Sequence, residues 1–305
     1  MRLLLKNKFN FIDKKIFKIV FAILLLIIFI EFILRIVGFG DPLLYSNNNN
    51  YNLKPNQDVR RFKGSKVVIN NFGMRTNYDW SVNSDYNKFL FFGDSVSFGG
   101  SYIDNKNLFS EKFCKIKENS ICGNYGTNGY KLQNIILKIE EVIEIVKFDH
   151  LIIVSSSSLT SGKSIFYNFP FYNNFDYKFF KSTSEILNHI LFKHKIVDNY
   201  HKDKKINEIE KNNQVDSIKK IKTIFKNLRN KNIKIDLFIL PTLEDLKKQK
   251  KLNHFFENIA MDDVNITNLY NEIYSQDYNN LYFNNAHLNE KGHDYLSKLL
   301  YKILK

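Results

Sequence analysis

The chain has 305 residues, of which 44% are hydrophobic, 15% aromatic and 25% charged, with only 12 Gly and 4 Pro. This excludes a disordered or collagen-like chain and suffices for one large domain, or one domain with a short appendage. The net charge of +14 does not argue for a nucleic-acid binder, because residues 1 to 18 supply +5, residues 193 to 251 supply +9, and the remainder is neutral.

Ile19 to Ile30 is an unbroken apolar run, and with its flanks it extends from Ile16 to Phe39, long enough to span a bilayer. Glu31 and Arg35 are four apart on a helix, so they can pair, and both lie near enough to the end to reach the interface. No small-residue cleavage site follows, as a signal peptide would need. Arg2, Lys6, Lys8, Lys14, Lys15 and Lys18 precede the span, so residues 1–18 are expected in the cytoplasm and residues from 41 onward on the periplasmic or other extracytoplasmic side. There Cys114 and Cys122 can form a short-loop disulfide or remain two small buried residues; both readings stand.

Residues 41–66, with Asn47 to Asn50, Pro55, Arg60 and Arg61, read as a linker or extended lead-in. Alternating elements then fill residues 67–305. Strands are expected at Lys88 to Phe92, Ser120 to Asn124, His150 to Val154 and Ile233 to Leu240, the last stopped by Pro241. Helices are expected at Leu108 to Lys117, Leu132 to Lys147, Ile218 to Leu228, Leu243 to Ile259 and Gly292 to Leu304. Such alternation predicts an α/β fold: a parallel sheet with helices on both faces and a ligand site beyond the carboxyl ends of the strands. Residues 161–215 break the rhythm with an aromatic cluster from Phe166 to Phe180 and read as an insertion, either a lid or a helical subdomain. The Lys-rich stretch 193–251 reads as a solvated helix face, with attraction to anionic lipid or glycan the alternative.

Gly93-Asp94-Ser95 follows directly on the first buried strand. A serine at that junction sits at the carboxyl edge of the sheet, with backbone N–H groups free to meet an oxyanion. A nucleophilic serine needs a base, and His287, in a loop just before the last helix, can approach the same edge. Asp94 reads as a turn-holding residue or an N-terminal cap.

These blocks resemble the SGNH/GDSL hydrolase family, in particular its membrane-anchored bacterial branch, over most of the chain. Phe91-Phe92-Gly93-Asp94-Ser95 is similar to the first block, Asn124-Tyr125-Gly126-Thr127-Asn128-Gly129 to the second, and His287-Leu288-Asn289-Glu290-Lys291-Gly292-His293 to the last; Val68 to Arg75 and Glu31 with Arg35 also look like the membrane-bound branch. The resemblance implies a three-layer, flavodoxin-like α/β domain. It also implies Ser95 as nucleophile, His287 as base, and the N–H groups of Ser95 and Gly129 as the oxyanion hole. Two positions depart from the family pattern. The third block, where an asparagine completes the oxyanion hole, is replaced by Ser155-Ser156-Ser157-Ser158, and Asn284 stands where an aspartate orients the histidine. An amide oxygen can accept the imidazole N–H but offers no negative charge; Asp277 and Glu290 are the nearby carboxylates that could compensate.

No cofactor is expected. Ser157 to Ser164 lacks the first glycine of a phosphate loop, and the histidines lack helix-paired metal-ligand spacing. His189, His194, His201 and His254 read as surface residues, and His293 as a packing or capping residue. The expected function is a membrane-anchored serine esterase, or an O-acyltransferase, with acylated carbohydrate as substrate, O-acetyl groups of cell-surface polysaccharide first. The alternative is a catalytically degenerate tethered protein assisting polysaccharide modification beside a membrane acyltransferase partner.

Overall fold

Five short, apolar, β-rich segments build the centre of the molecule. The computed structural model describes residues 2–36, 44–47, 50–60, 65–78, 80, 85–163, 206–250, 257–261 and 264–305. The strands β5 (Asn87–Gly93), β6 (Ser120–Asn124), β7 (His150–Ser156), β8 (Lys234–Leu240) and β9 (Asn265–Asn268) form one parallel sheet in the order β6-β5-β7-β8-β9. Alternate residues serve opposite faces, as the two-residue period of a strand requires. Leu90, Phe92, Leu151 and Ile153 join one core with α4 (Leu132–Val142) and α5 (Ile206–Asn230); Phe89, Phe91, Ile152 and Val154 join the other with α3 (Phe109–Ile116) and α8 (Glu290–Ile303). Burial of each such side chain contributes about 1.5–3 kcal/mol. The expected parallel-sheet α/β architecture with helices on both faces is therefore present. On α5 one face buries Ile221, Phe225 and Leu228 while Lys219, Lys220 and Lys226 stay exposed, a solvated basic face, with Lys220 reaching Glu140.

Two expectations change, and one strand goes unannounced in the sequence. Residues 41–66 are more than a lead-in: β1 (Leu44–Asn47) pairs antiparallel with β2 (Asn50–Leu53), and β3 (Gln57–Arg60) with β4 (Lys66–Ile69). Tyr51 and Leu53 are buried and Asn52 reaches the carboxylate of Glu141 on α4, so side-chain docking overrides the turn-rich composition. Of the helix expected over Leu243 to Ile259, the described residues hold α6 (Leu243–Lys247), started by a Thr242–Asp245 capping box and followed closely by Gln249 in the left-handed region at φ 48°, and a 3-10 turn at Glu257–Ile259; residues 251–256 lie outside the described residues. Finally, β9 carries the polar sequence NITN and offers no apolar signal, yet its backbone completes the sheet edge.

Cys114 of α3 and Cys122 of β6 are joined as a disulfide with Cα atoms 5.9 Å apart. It staples the helix that faces α8 to the edge strand that leads into the second motif. At the front, α1 (Arg2–Ile36) is a continuous 35-residue helix. Its side chains are described over residues 14–30 and 32–33, and among the described residues no helix is long and apolar enough to cross a membrane. The Glu31 and Arg35 side chains, the aromatic cluster of the 161–215 segment, and His189, His194, His201 and His254 lie outside the described residues.

Candidate active site

The first buried strand must turn sharply into a helix for a serine to stand at the sheet edge. Gly93 makes that turn possible: at φ 152° it brings the chain so close to β7 that a Cβ there would lie 2.0 Å from the carbonyl oxygen of Val154. Asp94 caps α2 (Ser95–Phe98), its Oδ1 accepting the Val96 N–H at 2.9 Å, and its Oδ2 accepts the Ser156 N–H at 3.1 Å. One carboxylate thus both caps the nucleophile's helix and ties it to the end of β7. Burial pushes its pKa up to about 6, against the backbone N–H groups that favour the charged form.

His287 arrives on the loop before α8. Its Nε2 lies 2.8 Å from Ser95 Oγ and its Nδ1 2.9 Å from Asn284 Oδ1. The orientation of the Asn284 amide follows from its other partners, since the same oxygen accepts the backbone N–H groups of Ala286 at 3.1 Å and His287 at 3.0 Å. An amide oxygen only accepts, so Nδ1 carries the proton and Nε2 is the free lone pair facing the serine hydroxyl. Burial lowers the His287 pKa below its ordinary value, which keeps it a neutral base. Asp277 does not compensate for the missing charge: its carboxylate accepts the Asn280 amide at 2.6 Å, and among the described residues neither it nor Glu290 bonds His287. The loop is pinned from outside as well, by Asn285, whose backbone oxygen accepts the Leu243 N–H and whose side-chain oxygen accepts the Glu244 N–H.

The second motif sits beside this pair. Asn124 spends its side chain on structure, donating to Ser97 O at 2.7 Å and accepting the Gly126 N–H at 2.8 Å. Tyr125 N–H donates to Phe91 O and Thr127 N–H to Gly93 O, so the loop bearing Gly129 is laced to the nucleophile's own strand. The serine run also sorts itself. Ser155 is buried, Ser156 N–H is on Asp94, Ser157 Oγ donates to Asp245 Oδ2 at 2.5 Å, and Ser158 alone of the four is exposed, its Oγ 2.8 Å from Ser156 Oγ. A carboxylate on Ser157 is the wrong partner for a phosphate loop.

Sequence reasoning missed one functional support. Arg75 is fully buried and donates to Phe98 O and Gly100 O at 2.7 Å, Ile103 O at 2.5 Å and Asn105 Oδ1 at 3.1 Å, with its guanidinium 4.5 Å over the Phe98 ring. Desolvation lowers its pKa to about 9. It organises the loop that leaves the nucleophile's helix, and its only sequence signal was its place in the Val68 to Arg75 block. His293 is a packing residue: buried, parallel to the Phe109 ring at 5.8 Å, and accepting the Phe109 N–H at Nδ1. Burial lowers its pKa to about 3, so it stays neutral.

No protein-family model and no curated relative matches the sequence. Among solved structures, the chain is similar to a lipolytic protein of the G-D-S-L family from Veillonella parvula, at 14% identity and TM-score 0.41, covering 71% of this chain and 97% of that one. It is similar to an acetyl xylan esterase at 15% identity and TM-score 0.45, covering 72% and 100%. A lipase/acylhydrolase from Enterococcus faecalis has 11% identity and TM-score 0.43, covering 72% and 95%. At these identities and scores the functional reading rests on the site geometry alone.

Proposed function

We propose that the protein is a membrane-anchored serine esterase that cleaves acyl esters through Ser95 and His287. The observation that carries this reading is the chain of contacts Ser95 Oγ, His287 Nε2, His287 Nδ1 and Asn284 Oδ1, at 2.8 and 2.9 Å. In the first step Ser95 Oγ attacks the ester carbonyl while His287 Nε2 takes its proton, and the N–H groups of Ser95 and Gly129 receive the oxyanion. The alkoxide leaves with the proton from His287, giving an acyl-serine and a free alcohol. Water then attacks the acyl carbon with His287 again as base, releasing the acid and restoring the hydroxyl; an alcohol in place of water makes the reaction an acyl transfer. Ser158 is the third oxyanion donor in this proposal, supported by its being the exposed member of the run that stands in for the missing asparagine. Ser158→Ala is expected to lower kcat roughly tenfold with KM unchanged, less than the ~10²–10³ of a fully committed donor; an unchanged kcat removes Ser158 from the hole.

The direct test is labelling of the full-length protein with a fluorophosphonate, which reacts only with an activated serine. Labelling that requires Ser95 supports the esterase. A folded protein that does not label is the degenerate tether instead, an accessory to polysaccharide modification, the outcome that Asn284 in a carboxylate's place would favour.

The anchor is part of the same proposal. From Ile16 to Ile30 every side chain of α1 is exposed, and the sequence stays largely apolar to Phe39. An apolar surface of that extent is a membrane or partner face. Six basic residues before it support an N-terminus inside and a sheet domain outside, where O-acetyl groups of surface polysaccharide are the ester class in reach and a membrane acyltransferase a fitting partner. The full chain is expected to stay in the membrane pellet through alkaline carbonate extraction; release into the supernatant would remove the anchor from the proposal.

A further inference from the structure

The N–H assigned to the oxyanion on Gly129 is one end of a peptide unit whose other end, the carbonyl of Asn128, is also engaged. Tyr51 of β2 donates its hydroxyl to Asn128 O at 3.0 Å. No cis peptide bond is present among the described residues, and in a planar trans unit the C=O and N–H point in opposite directions. A hydroxyl that fixes the carbonyl therefore fixes the direction of the Gly129 N–H. It also polarises the unit, because a carbonyl that accepts a hydrogen bond leaves its own N–H the stronger donor. The phenol reaches this peptide because Gly129 has no side chain: a Cβ there would sit 3.0 Å from Tyr51 Oη, and φ is 76°.

Tyr51 is itself rigidly held. It is 4% exposed, its ring meets Tyr130 edge-on at 5.1 Å, and Tyr130 Oη donates back to Tyr51 O at 2.5 Å. On either side of it, Asn50 and Asn134 exchange hydrogen bonds at 2.9 and 3.1 Å, and Asn52 donates to Glu141 Oε2 at 3.3 Å. The second strand of the hairpin that follows α1 is thus clasped onto the loop after β6.

We propose that Tyr51 is a positioning residue that aims the Gly129 N–H at the oxyanion, acting through the Asn128–Gly129 peptide. This rests on the esterase reading, in which Gly129 is a donor. In the full-length protein purified in detergent, with p-nitrophenyl acetate as substrate, Tyr51→Phe keeps the ring and removes the hydroxyl. Its kcat falls roughly tenfold, a fraction of what loss of the whole donor costs, with KM unchanged. Ile224→Ala thins the same core from α5 without touching Tyr51 or Asn128, and lowers the thermal midpoint while leaving kcat in place. An unaltered kcat in Tyr51→Phe, or kcat losses that track the midpoint in both variants, overturns the assignment. The Gly129 amide proton resonance, followed by NMR in Ser95→Ala protein with and without Tyr51→Phe, separates this claim from the esterase itself. A wild type without Ser95-dependent turnover sinks the esterase reading; a Gly129 resonance that does not move sinks the role of Tyr51.

Discussion

Ser95→Ala and His287→Ala each abolish fluorophosphonate labelling and lower kcat for p-nitrophenyl acetate by roughly 10⁴-fold or more, and the double variant is no worse than either alone. The non-additivity follows from the geometry. The hydroxyl is a weak nucleophile until Nε2, 2.8 Å away, takes its proton, so removing either partner removes the same step. The pH profile carries an independent signature of His287. A base works unprotonated, and burial lowers its pKa below the ordinary 6.5, so kcat/KM holds as pH falls past the range where a free imidazole protonates and is lost only at lower pH. Single variants that retain substantial turnover, or an acid limb above 6.5, would move the chemistry away from this pair.

Asn284→Asp raises kcat by about 10–100-fold, a gain of about 1.4–2.7 kcal/mol in transition-state stabilisation. In a serine protease triad the reverse change costs about 10⁴, largely because the amide turns its NH2 toward the imidazole and selects the wrong tautomer. Here that fault is absent, since the N–H groups of Ala286 and His287 hold the amide oxygen toward the ring. What remains to be gained is only the negative charge beside the imidazolium. The same charge raises the His287 pKa, so the acid limb of the profile shifts to higher pH in the variant. A variant with equal or lower kcat, or an unshifted limb, would show that Asn284 is not the orienting group.

The parts of the molecule that were legible in the sequence share a physical cause. Strands β5, β7 and β8 are buried on both faces, and a strand buried on both sides is written as a continuous apolar run such as Phe89 to Phe92 or Leu237 to Leu240. Ser95 and His287 were legible because each sits at a fixed offset from such a run or from the last amphipathic helix. What was not legible is held by backbone and amide chemistry. β9 pairs through its main chain with hardly any apolar side chain to announce it, and the hairpin from Leu44 to Leu53 docks through asparagine and tyrosine hydrogen bonds in a stretch whose composition reads as turns. Arg75 was hidden for a related reason: its acceptors are mostly backbone carbonyls, which any sequence supplies.

The clasp between β2 and the Gly129 loop also sets a leash. Eight steps of chain separate Ile36, the end of α1, from Leu44, the first residue of the hairpin, and even fully extended such a stretch reaches no more than roughly 28 Å. With α1 embedded in a bilayer, the hairpin, and with it the loop it grips, cannot drift away from the lipid surface. The enzyme would then sample a shell about one small protein deep, meeting esters on material as it crosses the membrane and leaving finished polymer further out untouched.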